Sequence, residues 1–263
     1  MPRCLGITAL DTPLRLTFAR SVPQAFVQAV AHAWSRCLAE SERSRVGAVE
    51  IDPALLAVHA PLDDSPEEFR CALQRLSQDV THCLITAQAG RLLMFHAAAV
   101  SHPQTGASMV FVAPSGTGKT TLTRLLGRTH GYLTDETVGI EPATGRIHPY
   151  PKPLSVAYGE NGRKFETSPD DLGLVAAHPV PAVARIVLLR REYGAPAPAS
   201  VEELDVLDAV AALIPETSAL NRLPRPLQSV AELLTRTGPL VRLSYHEAGE
   251  LVPLVFRMFE DAA

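Results

Sequence analysis

The hydrophobic pattern of this chain changes near residue 90, which divides the sequence into two parts. Before that point, apolar residues at three- and four-residue spacing predict a helix over residues 22–39, because this spacing places Phe26, Val30 and Trp34 on one face. Residues 14–18 form a strand candidate ahead of it. The first part therefore opens with a strand and an amphipathic helix.

A second helix in the first part is indicated by its N-terminal residues. Ser65 is a suitable N-cap, Pro66 fits the first helical position and Glu68 completes a capping box. Two further strand candidates lie between the helices, over residues 46–51 and 55–59. These elements predict a small α+β unit over residues 1–90.

From residue 91 onward, short apolar runs bounded by turn residues predict strands, and amphipathic segments predict helices between them. The strand predictions are 92–100, 108–112, 131–134, 138–141, 146–150, 183–189 and 241–245. The helix predictions are 120–126, a segment from the capping box Ser200–Glu203 to about 214, 228–237 and a closing helix from 247. This part of the chain, residues 91–263, is predicted to be an α/β domain.

A glycine-containing loop joins the predicted strand 108–112 to the predicted helix 120–126. Its residues, here called the phosphate loop, fit the pattern G/A-x-x-x-x-G-K-S/T and are Ala113, Pro114, Ser115, Gly116, Thr117, Gly118, Lys119 and Thr120. Such a loop directs backbone N–H groups at phosphates, its lysine reaches the β- and γ-phosphates and its hydroxyl binds magnesium. Together with the following Thr121, the loop predicts a site for ATP and Mg²⁺.

Composition argues against several other classes of partner. The chain has 24 basic and 28 acidic residues, a net charge of -4 that provides no footprint for nucleic acid or an anionic membrane. Cys4, Cys37, Cys71 and Cys83 form no C-x-x-C pair, and fit reduced thiols better than disulfides or a zinc site. No apolar run has the length of a membrane span. We expect a cytoplasmic protein without nucleic-acid or membrane partners, and oligomerisation stays open.

Two carboxylates follow the phosphate loop closely. Asp135 and Glu136 come directly after the predicted strand 131–134, where a nucleotide site in an α/β sheet collects acidic residues. The chain contains neither the N-K-x-D motif of GTPases nor the L-S-G-G-Q signature of transporter ATPases. Phosphorylation of a hydroxyl needs charge neutralisation and a base, and Asp135 is suited to the second role. The alternative is that Asp135 serves only as a metal ligand.

The strand that contains His96, the phosphate loop and the pair Asp135 and Glu136 together resemble the HPr kinase/phosphorylase superfamily. The likeness covers about residues 92–190 and is strongest to the small bacterial kinases that tailor ribosomal peptides such as lasso peptides. It implies a P-loop kinase domain with a mixed central sheet and flanking helices. It also implies Asp135 as catalytic base, Asp135 and Glu136 beside Thr120 at the metal, and His96 in the active site. The glutamate- and glycine-rich signature of the regulatory enzymes is absent, so phosphorolysis and HPr as substrate are not expected.

Three basic residues are candidates for contacting the substrate, namely Lys152, Arg163 and Lys164. Lys152 lies in a Pro-Lys-Pro-Leu segment that resembles one in the peptide-tailoring kinases. The sequence therefore predicts an ATP- and Mg²⁺-dependent kinase that phosphorylates a serine or threonine hydroxyl of a peptide or protein. A small-molecule kinase and an ATP-binding regulator without catalysis are the alternatives.

Overall fold

The computed structural model describes residues 3–39, 49–50, 66–158, 162–194 and 198–261. The strand candidate 55–59, the N-cap Ser65 and most of the strand candidate 46–51 lie outside these residues. Over the described part of the chain, no helix combines the length and apolar character needed to cross a membrane.

Strands outnumber helices in the described residues. The strands are β1 (Arg3–Ala9), β2 (Thr12–Phe18), β3 (Val49–Glu50), β4 (Leu93–Ser101), β5 (Ala107–Val112), β6 (Gly131–Thr134), β7 (Thr137–Ile140), β8 (Ile147–His148), β9 (Leu154–Tyr158), β10 (Arg163–Thr167), β11 (Val175–Ala176), β12 (Ala182–Arg191), β13 (Ser200–Glu203), β14 (Thr217–Ser218) and β15 (Val241–Tyr245). The α-helices are α1 (Gln24–Ala33), α2 (Pro66–Gln88), α3 (Lys119–Leu126), α4 (Val206–Leu213), α5 (Pro226–Thr237) and α6 (Val252–Asp261). Short 3₁₀ turns cover Ser35–Cys37, Ile214–Glu216, Leu220–Arg222 and Ala248–Leu251.

The chain forms two compact units. The first contains Met1–Gln88 together with Tyr150–Gly173, and the second contains Ala89–Pro149 and Leu174–Ala263. The sequence-based division at residue 90 assigns 150–173 to the second part, whereas the structure groups this segment with the first unit. Among the described strands of this segment, β9 and β10 pair as a two-stranded antiparallel sheet.

In the first unit, β1 and β2 form an antiparallel hairpin and β3 adds in parallel to β2. The turn between β1 and β2 contains Leu10 and Asp11, both with positive φ, as a tight right-twisting hairpin requires. Residues of β2 alternate between buried and half-buried positions, and Phe18 packs edge-on against Phe26 of α1. The hairpin and the first helix thus share one core.

The second unit contains a mixed sheet, which confirms the predicted α/β class. The strand order is β11-β6-β4-β5-β12-β15-β13, with further short strands β7, β8 and β14 joined to it. Strands β5, β12 and β15 run parallel, whereas β4 is antiparallel to both of its neighbours and β13 is antiparallel to β15. The combination of parallel and antiparallel pairs agrees with a mixed central sheet flanked by helices.

The pleat of β4 and β5 divides the core of this unit into two layers. Alternate residues of the two strands, such as Phe95 and Val110, pack with the apolar faces of α4 and α5. The intervening residues, such as Val100 and Phe111, pack with α3 and α6. Helices therefore cover both faces of the sheet. Because side chains alternate along a strand, His96 lies on the same face of β4 as Ala98 and Val100, which is the face that α3 covers.

Two sequence predictions of helix boundaries are wrong. Ser200–Glu203 is not the N-terminus of a helix but strand β13, because it pairs with β15 along the sheet. Helix α4 starts at Val206, where the Asp205 carboxylate caps two backbone N–H groups. The first helix ends at Ala33 instead of residue 39, and a 3₁₀ turn continues its apolar face to Cys37.

Helix α6 is attached to the sheet through a histidine. The ring of His130 stacks on Phe259 with 4.3 Å between centroids, and His102 and Phe256 lie at 6.1 Å and 5.2 Å from the same ring. Burial lowers the pKa of His130 below its ordinary value of 6.5, and the nearby His102 lowers that pKa further. The docked helix therefore favours the neutral imidazole.

We expect the thermal stability of the protein to fall as the pH decreases from 7 to 5. The folded state binds a proton at His130 more weakly than the unfolded chain does. The contribution of His130 to stability is therefore fully present above the pKa of the unfolded state, and it is lost as the pH falls from there through the lowered pKa of the folded state. Melting curves of His130→Phe should show a smaller loss over this range. The exposed His82 provides the control variant His82→Gln, and an equal loss in all three proteins would contradict the assignment.

Candidate active site at the phosphate loop

The phosphate loop lies where the sequence predicts it, between β5 and α3. Strand β5 ends at Val112 and helix α3 begins at Lys119, with Gly118 at its N-cap in the left-handed region at φ 104°. Gly116 also has a positive φ, and nothing lies within 4 Å of the position that a Cβ atom would occupy there. The glycines thus permit the tight loop and leave open space above Gly116, as close approach of a phosphate chain requires.

Lys119 is buried within the loop that it serves. Its ammonium donates hydrogen bonds to the carbonyl oxygens of Ala113 and Pro114, and only 6% of the residue is exposed. Burial lowers the pKa of Lys119 to about 8, while the carboxylates of Glu216, Asp135 and Glu136 oppose that change. The loop therefore holds a buried ammonium whose direct hydrogen-bond partners are neutral carbonyl oxygens, and anionic phosphate oxygens would be stronger partners for it.

The acidic pair stands beside the start of α3. The hydroxyl of Thr120 donates a 2.8 Å hydrogen bond to Asp135 Oδ2, and the Tyr132 hydroxyl donates one of 3.2 Å to Asp135 Oδ1. Asp135 is 6% exposed and Glu136 is half-buried. A hydroxyl and one or two carboxylates are the protein ligands that Mg²⁺ commonly takes besides phosphates and water. The donor set of Thr120, Asp135 and Glu136 therefore fits the magnesium of a bound nucleotide.

His96 connects the loop to the acidic turn. Its Nε2 lies 3.3 Å from Ser115 Oγ in the loop, and its side chain also makes a hydrogen bond to the backbone of Glu136. Burial lowers the pKa of His96, as does the charge of Lys119, while Glu216 and Glu136 oppose the change. A neutral imidazole between these two segments fixes their relative position. The structure thus brings His96 together with the phosphate loop and the acidic turn, and its role in the reaction stays a prediction.

The candidate substrate residues belong to the first compact unit, whereas the phosphate loop, His96 and the acidic pair belong to the second. Lys152 is only 3% exposed, and its ammonium bonds to the Pro153 carbonyl at 2.9 Å. Arg163 pairs with Glu67 at 3.2 Å, and Lys164 is exposed on β10. The burial of Lys152 leaves the predicted substrate contact without support, because its charge is already directed at the protein's own backbone.

Two residues of the site were not anticipated. Tyr245, at the end of β15, donates a hydrogen bond to the Thr117 carbonyl in the loop, and burial raises its pKa to about 12. The charge of Glu216, at the end of the 3₁₀ turn that precedes β14, raises the pKa of both Lys119 and His96 against the effect of burial. A tyrosine at the end of a predicted parallel strand offers a weak signal, whereas Glu216 has none in the local sequence.

Comparison with known proteins identifies no family model that matches the chain and no curated protein that resembles it in sequence. In structure, the chain is similar to the Hpr(Ser) kinase/phosphatase from Coxiella burnetii, with a TM-score of 0.31 and 14% identity. That match covers 64% of this chain and 98% of the other. A similarity this distant transfers no activity, so the functional assignment depends on the geometry of the site.

We expect Tyr245→Phe to weaken nucleotide binding while the protein stays folded. The substitution keeps the buried ring but removes the hydrogen bond to Thr117, so the loop loses one of the contacts that fix its shape. One such bond contributes about 1 kcal/mol, which corresponds to roughly a fivefold loss of ATP affinity. Calorimetric titration with ATP and Mg²⁺ measures the change, and unaltered affinity would show that the hydroxyl does not support the loop.

Proposed function

We propose that this chain is an ATP- and Mg²⁺-dependent kinase that transfers the γ-phosphate to a serine or threonine hydroxyl of a peptide or protein. The observation that carries the proposal is the 2.8 Å hydrogen bond between Thr120 and Asp135. This bond joins the hydroxyl at the end of the phosphate loop to the carboxylate that directly follows strand β6. A protein that only binds nucleotide has no need of a base at this position, so the pair favours an enzyme.

The loop residues would hold the nucleotide through its phosphates. Backbone N–H groups of the loop and of the first turn of α3 would bind the phosphates in the open space beside Gly116, and Lys119 would exchange its carbonyl partners for phosphate oxygens. Thr120, Asp135 and Glu136 would hold the metal, which supplies neutralisation of phosphate charge when bound. Most of the rate enhancement in such a site derives from positioning and charge, and these residues are arranged for both.

Asp135 would act as the base for the acceptor hydroxyl. Its Oδ1 is held by Tyr132, so the carboxylate has a fixed orientation toward Thr120 and the loop. In the transfer, the hydroxyl oxygen bonds to the γ-phosphorus, its proton passes to the carboxylate, and the bond to the bridging oxygen of ADP breaks. Removal of the proton by a carboxylate beside the metal site is consistent with the geometry.

The peptide acceptor is the less constrained part of the proposal. It is supported by the likeness to peptide-tailoring kinases over the loop and the acidic pair, which favours a ribosomally made peptide. Two results would reject a peptide acceptor, namely transfer only to a small metabolite and nucleotide binding without any transfer. Incubation with labelled ATP, Mg²⁺ and either serine-containing peptides or a metabolite panel separates these outcomes by the identity of the labelled product.

Lys119→Ala should abolish transfer and weaken ATP binding. The variant removes the charge that neutralises the β- and γ-phosphates, and charge-assisted contacts of this kind contribute about 1.5–3 kcal/mol, or roughly 10- to 150-fold in affinity. Titration calorimetry with the nucleotide, together with the transfer assay, measures both effects. Arg257→Ala, which removes an exposed cation of helix α6, is the control. Normal ATP affinity in Lys119→Ala would reject the nucleotide site.

Asp135→Asn separates binding from chemistry. The amide has the size of the carboxylate but accepts no proton, so we expect the transfer rate to fall by about two to four orders of magnitude. ATP should still bind, with a weaker dependence on Mg²⁺ because one metal ligand is neutralised. Single-turnover transfer and ATP titrations at several Mg²⁺ concentrations measure the two effects. Near-normal transfer would assign the base to another residue.

A further inference from the structure

A third carboxylate, that of Glu216, reaches the phosphate loop from a distant part of the chain. Strand β14 begins at the next residue, Thr217, which pairs with Phe95 of β4, and Ser218 pairs with Met94. Continuing this antiparallel register by one residue sets Glu216 beside His96. The 3₁₀ turn Ile214–Glu216 delivers the residue to this position directly after helix α4.

The charge of Glu216 acts on the same groups as the acidic pair. Burial is the main cause of the lowered pKa of Lys119, and among the carboxylates that oppose it Glu216 has the largest effect. At His96, burial again dominates, and Glu216 has a larger opposing effect than Glu136. Among the described residues, no arginine contributes to the shift of either group. Carboxylates therefore outnumber the cations around the loop.

Glu216 lies on the opposite edge of β4 from the acidic turn. At Met94 and Phe95, β4 pairs with β14 on one edge and with β7 on the other, and Asp135 and Glu136 immediately precede β7. In the part of the chain that the structure describes, no three histidine, cysteine or acidic side chains come together as metal ligands. Glu216 therefore approaches His96 from the edge of β4 opposite to the acidic turn, and its side chain is half-exposed.

An acceptor that approaches the γ-phosphate beside Glu216 meets two negative charges, that of the phosphate and that of the Glu216 carboxylate. An anionic group on the acceptor would be repelled, whereas a cationic group would be attracted by a carboxylate at a partly desolvated position. We propose that Glu216 is a specificity-determining residue that selects a peptide whose serine or threonine is flanked by lysine or arginine. This inference rests on the proposed kinase function and adds the chemical class of the acceptor.

The test uses four peptides of equal length that contain one serine or one alanine, flanked either by arginines or by glutamates. Binding of the alanine peptides to the protein saturated with Mg²⁺ and a non-hydrolysable ATP analogue is measured by fluorescence anisotropy. Transfer to the serine peptides is measured as kcat/KM. Wild type, Glu216→Gln and Glu216→Lys are compared, and Glu203→Gln, which neutralises an exposed glutamate of β13, is the control.

We expect wild type and Glu203→Gln to prefer the arginine peptide by about tenfold in binding, the scale of one charge pair. Glu216→Gln should reduce this preference to within about twofold, and Glu216→Lys should reverse it. Equal binding of both peptides by wild type, binding of neither, or an unchanged preference in Glu216→Gln would overturn the inference. Selective binding of the arginine peptide without any transfer would reject the kinase function and retain the role of Glu216. Transfer to both serine peptides at equal rates would support the kinase function and reject the role of Glu216.

Discussion

Strand β4 exchanges its hydrogen-bonding neighbours within a few residues of His96, between Phe95 and Ala97 on one edge and between His96 and Ala99 on the other, and the site depends on this exchange. On one edge, β5 pairs with Ala97–Ser101 of β4, and the chain then continues from β5 into the phosphate loop. On the same edge, β14 pairs with Phe95 and Met94. On the other edge β6 gives way to β7, and the chain between them is the acidic turn. The Ala97 N–H bonds to the Glu136 carbonyl and closes that turn against the strand. Backbone pairing therefore places the loop, the acids and Glu216 around one histidine.

The electrostatics of the site follow from this convergence. Burial lowers the pKa of Lys119 because it disfavours the charged ammonium. The nearby carboxylates raise that pKa part of the way back. The resulting site has more negative than positive side-chain charge, which by itself would repel a phosphate chain. Under the proposed function, a divalent cation on the side of Thr120 and Asp135 offsets this excess, so nucleotide binding and metal binding are coupled. Glu216 lies on the other edge of β4, where the proposed function places the acceptor.

The nucleotide side of the site could be predicted from sequence because it is local. The phosphate loop is one continuous segment, and its strand, glycines and helix are adjacent in the chain. Predictions failed where tertiary pairing overrides a local signal. Ser200–Glu203 has the residues of a capping box but pairs with β15 as an edge strand. Strand β14 contains only two residues, too few for any periodicity, so the position of Glu216 depends entirely on its register with β4. The grouping of 150–173 with the first unit likewise leaves no trace in composition.

This difference has a physical consequence for how such a site acquires its specificity. Phosphates bind to backbone N–H groups, whose geometry requires glycines at fixed spacing, so the nucleotide side is tied to a motif. The charge of an acceptor is recognised by side chains, and the register of β14 with β4 sets which side chain stands beside His96. Under the proposed function, the acceptor side can therefore change by single substitutions at Glu216 while the loop and the acidic pair stay as they are. The proposed role of Glu216 makes the choice of acceptor depend on long-range strand pairing, which places this residue, and not on a sequence motif.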